Sequence, residues 1–237
     1  AKIMALILTR HPSRTLRLKS CTLPMACAAV LAAICLNPLV TWISAGVMRL
    51  YPPGDSLISL EQSVSAIMGS APGLWALIIV FAVMPALMEE LAFRGFILSG
   101  LESLKNKWQA ILLSSLLFGI AHSVIQQSII TFAVGIVLGV IAIQTRSLIP
   151  CILFHAVHNS LAVLISKVSP VFVESSPWLS WILVTDNGTT YQYSLPAGIA
   201  MTVIGLLLIA WFLRLAPGTI GNSNRPRISG AVTPASG

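Results

Sequence analysis

Apolar residues run through most of this chain in blocks too long for a soluble core, separated by short polar or basic connections. Six blocks reach the length an α-helix needs to cross about 30 Å of hydrocarbon, at residues 22–47, 74–101, 108–124, 128–145, 149–167 and 196–213. Between the first two, residues 52–70 place Leu57, Leu60, Val64 and Ile67 on one face at helical spacing, the pattern of an amphipathic helix lying at the outer membrane interface. Residues 175–195 combine Trp178 and Trp181 with an Asp186-Asn187-Gly188 turn and an alternating run from Thr189 to Tyr193, which predicts a short hairpin beside an aromatic anchor. Asn187-Gly188-Thr189 also has the form of a glycosylation acceptor, though a turn accounts for it equally well. The expected architecture is an all-α membrane protein, a polytopic bundle of about six transmembrane helices.

Composition agrees with the pattern. Of 237 residues, 56% are hydrophobic and only 9% charged, against about a quarter charged in soluble domains. The solvent of such a chain is lipid, and the weak alternation of β-barrel strands would not give unbroken apolar runs. The formal net charge of +7 sits mostly at the ends of the blocks, so it orients the chain in the bilayer against anionic lipid; nucleic acid is not an expected partner. Arg10, Arg14, Arg17 and Lys19 precede the first block; Lys105 and Lys107 follow the second, Arg146 the fourth, and Arg214, Arg225 and Arg227 the sixth. The alternate connections carry only Arg49 and Lys167, so both termini are expected on the cytoplasmic side of an inner (cell) membrane crossed an even number of times. The chain divides into a basic cytoplasmic leader at 1–20, a transmembrane bundle at 21–215 and a Gly/Ser/Pro-rich disordered tail at 216–237. Opening at Ala1 without Met, it reads as a piece of a longer polypeptide. Cys21, Cys27, Cys35 and Cys151 lack C-x-x-C spacing and read as packing residues.

Ionisable groups at membrane depth are costly and mark function. Here they form a short set: Glu89, Glu90, Arg94, His122, His155 and His158, with Asn159 alongside. Glu90 and Arg94, four apart, share a helix face and can pair, which leaves Glu89, about 100° around the axis, to point into the bundle as a general base or acid. Pro85 frees the carbonyl of Phe81 and predicts a kink below the carboxylates. Phe118 and His122 are four apart, as are His155 and Asn159, so a ring packs one turn from an imidazole and an amide one turn from another. His158 reads as a packing or supporting residue. Glu89 and His122 lie about 20 Å, and His155 about 12 Å, from the basic ends of their spans, so one cavity can contain them. Glu89, His122 and His155 are a donor set for a divalent ion such as Zn²⁺. The alternative is metal-free, with Glu89 and His122 activating water while His155 and Asn159 stabilise an oxyanion.

On these residues the chain resembles the CAAX protease and bacteriocin-processing (Abi) family of intramembrane endopeptidases. The motifs are E-E-x-x-x-R at Glu89 to Arg94, F-x-x-x-H at Phe118 to His122 and H-x-x-x-N at His155 to Asn159, in order within residues 74–167. The resemblance implies a helical bundle around a conical cavity open to the cytosol, and a peptide bond cut near the cytoplasmic membrane face. It implies that Glu89 activates water, Glu90 fixes Arg94, and His122, His155 and Asn159 complete the site. Eukaryotic members trim prenylated CAAX proteins, while prokaryotic ones are linked to bacteriocin immunity or peptide maturation. The implied partners are membrane lipid and a peptide or protein substrate, lipidated in the eukaryotic case. The basic leader also resembles that of a protease domain fused to an ABC-type permease. Two other classes fit the residues: a non-catalytic immunity or scaffold protein, and a proton-coupled transporter using Glu89, His122 and His155 as a relay. The lack of internal symmetry or broken-helix pairs speaks against the transporter.

Overall fold

The computed structural model describes residues 16–70, 73–104, 106–122, 124–186 and 190–215. The leader before residue 16 (including Arg10 and Arg14), Lys105, the Asn187-Gly188-Thr189 turn, and the tail with Arg225 and Arg227 lie outside the described residues. Among the described residues, nine helices and one hairpin follow in order: α1 (Leu23–Leu50), α2 (Asp55–Ser70), α3 (Leu74–Leu101), α4 (Lys107–Ile120), α5 (Ile125–Thr145), α6 (Ile149–Lys167), α7 (Pro170–Glu174), α8 (Pro177–Ser180), β1 (Leu183–Asp186), β2 (Thr190–Tyr193) and α9 (Leu195–Arg214). Five of them, α1, α3, α5, α6 and α9, are long and apolar enough to cross a membrane, and the protein is a multi-pass, all-α membrane protein. The expected third span is a helix of only 14 residues, because the chain turns at Ala121 and His122 before α5 begins. Hydropathy does not register that stop, since the turn is itself flanked by apolar residues.

Local chemistry sets several boundaries. Proline stands in the first turn of α1, α6 and α9, where its missing N–H costs nothing. The Asn106 side chain caps α4 by accepting from the Trp108 N–H at 2.9 Å. Pro85 does not act as a simple kink: α3 widens into a π-helix over Ile79–Val83 just before it and again over Leu91–Ile97 just after the glutamate pair. Such π segments concentrate at functional sites, because they rotate the following side chains relative to an unbroken α-helix.

Small residues let the helices approach. Gly135 and Gly139 on α5 face Ser115 and Ile111 of α4 so closely that a Cβ would lie 3.0 Å and 2.9 Å from their side chains, the close packing that G-x-x-x-G spacing permits. Gly198 on α9 faces Trp42 of α1, where a Cβ would come within 2.4 Å of the indole. The core gathers Ala29, Ala32 and Ala33 of α1, Leu138 and Ile141 of α5, and Phe154 of α6, all buried.

The two ends of the bundle differ. At one, Leu16 is buried at 1% exposure, and so is Arg17 at 4%, a residue expected among the orienting basic charges of the leader. Arg17, in the left-handed region at φ 51°, pairs with Glu102 at 3.0 Å, donates to Ser99 Oγ at 3.2 Å and to the Ala142 carbonyl, and accepts from the Leu148 N–H at 3.1 Å. Burial pulls its guanidinium below the usual value and the Glu102 charge pushes back. Arg17 thus ties the end of α3 to the end of α5 and the start of α6, and Leu16 packs over Gly95 and Leu148. At the other end, β1 and β2 pair antiparallel from Leu183↔Tyr193 to Asp186↔Thr190. The Lys167 ammonium there donates to the Met68 carbonyl of α2 at 2.9 Å. Of the apolar face expected on α2, Leu57 is buried whereas Leu60 and Ile67 are exposed; Trp178 and Trp181 are also exposed, as suits groups facing an interface.

Gly198→Ala is expected to destabilise the protein by about 1–3 kcal/mol through overpacking against Trp42. Gly46→Ala, which meets nothing within 4 Å, should be neutral or stabilising. Thermal unfolding of the purified protein in detergent checks both.

Candidate active site

The site is built around one buried carboxylate. Glu90 is fully buried, and its Oε1 accepts from Arg94 NH1 at 2.7 Å and from His155 Nδ1 at 2.9 Å. Its Oε2 has no hydrogen-bond partner among the described residues. The i,i+4 pair expected on α3 is therefore present, and it also reaches across to α6. Arg94 is equally enclosed: its NH2 lies 3.4 Å from the Gly135 carbonyl, and its guanidinium carbon sits 4.3 Å from the centroid of the Phe118 ring. A guanidinium held against an aromatic face gains from the ring quadrupole, more so away from water.

Phe118 is the hub of the aromatic packing. Its ring meets Phe93 at 4.9 Å, His122 at 5.1 Å and His155 at 5.9 Å, in each case edge to face. The expected contact between Phe118 and His122 is thus present, and one residue on α4 also touches both imidazoles and Arg94. His122 stands just beyond the end of α4. Because the helix stops there, the Phe118 carbonyl is left for the imidazole, whose Nδ1 approaches it at 2.9 Å. A carbonyl can only accept, so Nδ1 carries the hydrogen and Nε2 keeps its lone pair. Ser128 Oγ donates to the His122 carbonyl at 2.6 Å and holds the turn.

Glu89 was expected to point into the bundle as an enclosed, unpaired carboxylate. Its side chain is instead 30% exposed, and its Oε2 lies 3.6 Å from His155 Nε2. That separation is too long for a hydrogen bond. His155 is consequently bracketed by two carboxylates, Glu90 on Nδ1 and Glu89 facing Nε2. A ring nitrogen that donates to a buried carboxylate fixes the imidazole's orientation and makes the other nitrogen more basic.

Asn159 lies one turn along α6 from His155 and, with His158, lines a cavity of about 390 Å³ between α1, α5, α6 and the hairpin. His158 is stacked on Phe154, with centroids 6.3 Å apart and planes at 19°, and its Nδ1 lies 3.4 Å from Asn37 Nδ2. Asn37 Oδ1 in turn accepts from Tyr193 OH at 2.8 Å. Burial pushes the Tyr193 phenol up to about 12, so it stays protonated and remains a donor. Sequence reasoning missed Asn37 and Tyr193. The available signal was Asn37 itself, a polar side chain in the middle of the first apolar block, but it carries no charge.

The donor set suggested for a divalent ion, Glu89, His122 and His155, does not converge. Among the described residues no three His, Cys, Asp or Glu side chains are placed to hold a metal ion. Glu90 and Arg94 occupy one side of His155, and His122 is turned by its Nδ1 toward its own helix. A three-donor site does not fit this arrangement of the described residues.

Residues 71–161 match the family described as Rce1-like, type II CAAX prenyl endopeptidase Rce1-like. That stretch contains Glu89, Glu90, Arg94, His122, His155 and Asn159. No curated protein and no solved structure matches the chain.

Arg94→Met is expected to cost about 3–5 kcal/mol, because it leaves the Glu90 carboxylate buried without a counter-charge. Arg94→Lys should not restore wild-type stability, since an ammonium lacks the planar face that lies on Phe118 and the fork that reaches Gly135. Adding Glu90→Gln to Arg94→Met should recover part of the loss. Melting curves of the set in one detergent decide the order.

Proposed function

We propose that this chain, which through residues 71–161 belongs to the Rce1-like CAAX endopeptidases and is therefore a peptide hydrolase of the membrane, cuts its substrate with a water activated by Glu89. The observation that carries the reading is His155 held between the two carboxylates, 2.9 Å from Glu90 and 3.6 Å from Glu89. Glu89, Glu90 and Arg94 together carry one surplus negative charge. An uncompensated charge is costly within the low-dielectric bundle, and the His155 imidazole is the group that faces both carboxylates.

On this reading water binds between Glu89 and His122, the partly exposed carboxylate and the imidazole whose Nε2 lone pair is available. Attack on the scissile carbonyl forms the C–O bond as a proton passes from water to Glu89. The developing oxyanion is met by the Asn159 amide and by His155, which Glu90 orients through Nδ1. The tetrahedral intermediate then collapses, the C–N bond breaks, and Glu89 returns the proton to the leaving amine. Glu90 and Arg94 are positioning residues: they fix His155 and touch no substrate. The substrate of this reading is a peptide with a prenylated CAAX end, which the name of the matched family supports, and lipid surrounds the bundle.

Cleavage of a fluorogenic farnesylated CAAX peptide by the full chain in lipid nanodiscs tests the proposal. Glu89→Gln and His122→Ala should each lower kcat by about 10²–10⁴-fold while melting like the wild type. If both variants cleave at the wild-type rate, the mechanism is wrong. Activity abolished by chelators and restored by added Zn²⁺ would instead favour the metal-assisted route.

A further inference from the structure

Residues 16–19 take no part in the chemistry above, yet they are held at a cost that a plain membrane-surface leader need not meet. Leu16 and Arg17 are buried, while Leu18 beside them is exposed. Arg17 adopts the left-handed region at φ 51°, which a residue with a Cβ visits rarely and keeps only where its surroundings over-determine it. Its guanidinium is enclosed, although a long arginine side chain ordinarily snorkels to water.

Contact with three helices at once offsets these costs. On α3, Arg17 meets Ser99 and Glu102, and Leu16 meets Gly95. On α5, Arg17 NH1 donates to the Ala142 carbonyl. At the start of α6, the Leu148 N–H donates to the Arg17 carbonyl at 3.1 Å and Ser147 Oγ donates to the Lys19 carbonyl at 2.6 Å. The three elements converge on one spot: a Cβ on Gly95 would stand 3.2 Å from Leu16 Cδ2 and 3.4 Å from Leu148 Cδ1.

That spot lies next to the site. Gly95 directly follows Arg94 within the π segment Leu91–Ile97. Leu148 stands about two turns before His155 on α6. Leu16 is therefore a wedge in the seam between α3 and α6, the two helices that the 2.9 Å bond from His155 to Glu90 joins. The 3.6 Å approach of Glu89 to His155 depends on the same spacing.

We infer that Leu16 and Arg17 are positioning residues for the reaction, a strap that sets the α3–α6 spacing on which the Glu90–His155 bond depends. The inference rests on the endopeptidase reading and extends it to chain outside the matched residues 71–161. A displacement of about 1 Å at a reacting group costs up to about 10²-fold in rate even when its origin is remote, so loss of the strap shows in kcat. A leader that only orients the chain in the bilayer would leave turnover untouched.

The test uses the full chain in lipid nanodiscs with the fluorogenic farnesylated CAAX peptide. Leu16→Ala removes the wedge and should lower kcat at least about fivefold with KM within about twofold. Gly95→Ala drives a methyl against Leu16 and Leu148 and should lower kcat in the same sense. In the double variant that methyl enters the vacated space, so it should turn over faster than either single one. Arg17→Gly suits the left-handed backbone and keeps the carbonyl that Leu148 bonds, but removes the side-chain ties; it too should lower kcat. If Leu16→Ala does not fold, Gly95→Ala and Arg17→Gly decide the matter.

Hydrogen–deuterium exchange of the same proteins reads the strap without turnover. Leu16→Ala and Arg17→Gly should raise exchange in residues 90–98 and 148–156 and leave 195–214 unchanged. Wild-type kcat in the single variants, a loss confined to KM, or a double variant no faster than the singles would each overturn the inference and leave the protease reading intact. A wild type that does not cleave, with exchange raised in those two segments of the variants, would sink the hydrolase reading and keep the strap.

Discussion

The buried carboxylate of Glu90 is the constraint on which this bundle depends. Placing a carboxylate among apolar helices costs several kcal/mol unless charge and hydrogen bonds meet it. Here one oxygen takes both Arg94 and His155. That requirement fixes the relative rotation of α3 and α6, because Arg94 lies one turn from Glu90 on the same helix while His155 comes from another. It also draws in α4 and α5, since Arg94 needs the Phe118 face and the Gly135 carbonyl. Glu89 and Glu90 close a regular α-helical stretch with a π segment on either side, and their separation of about 100° around the axis lets two adjacent carboxylates serve different neighbours.

Much of the fold was legible because lipid imposes a simple rule on composition. The spans at 149–167 and 196–213 match α6 and α9 almost to the residue, since Pro150 and Pro196 start them and polar residues end them. The span at 108–124 was overextended because hydropathy measures transfer and not hydrogen bonding, so it ran through the turn at His122. The π segments leave no mark on composition at all. Arg17 was expected among the orienting charges of a leader and is buried instead, because Glu102, Ser99 and the Ala142 carbonyl surround it. Those partners lie more than eighty positions away in the chain.

The site divides the same way. Contacts set by spacing within one helix, Glu90 with Arg94 and Phe118 with His122, could be read directly. Contacts between helices could be bounded only by depth. The bond from His155 to Glu90, the Arg94–Phe118 stack and the Asn37–His158 pair all depend on how the helices rotate against one another. Asn37 and Tyr193 escaped notice for a further reason: a neutral amide and a phenol carry little of the cost that made the glutamates and histidines conspicuous.

The short α4 has a consequence for the bilayer itself. Fourteen residues of helix rise only about 21 Å, well under the roughly 30 Å of an average hydrocarbon layer. Irregular backbone at that depth is tolerated only where protein or water meets its polar groups, and lipid beside a short hydrophobic element thins to match it. The turn carrying His122 therefore lies at a depth where its free backbone groups have to be met by protein or water. A reaction that consumes one water per turnover needs water at that same depth, so the demand of the backbone and the demand of the chemistry coincide at His122.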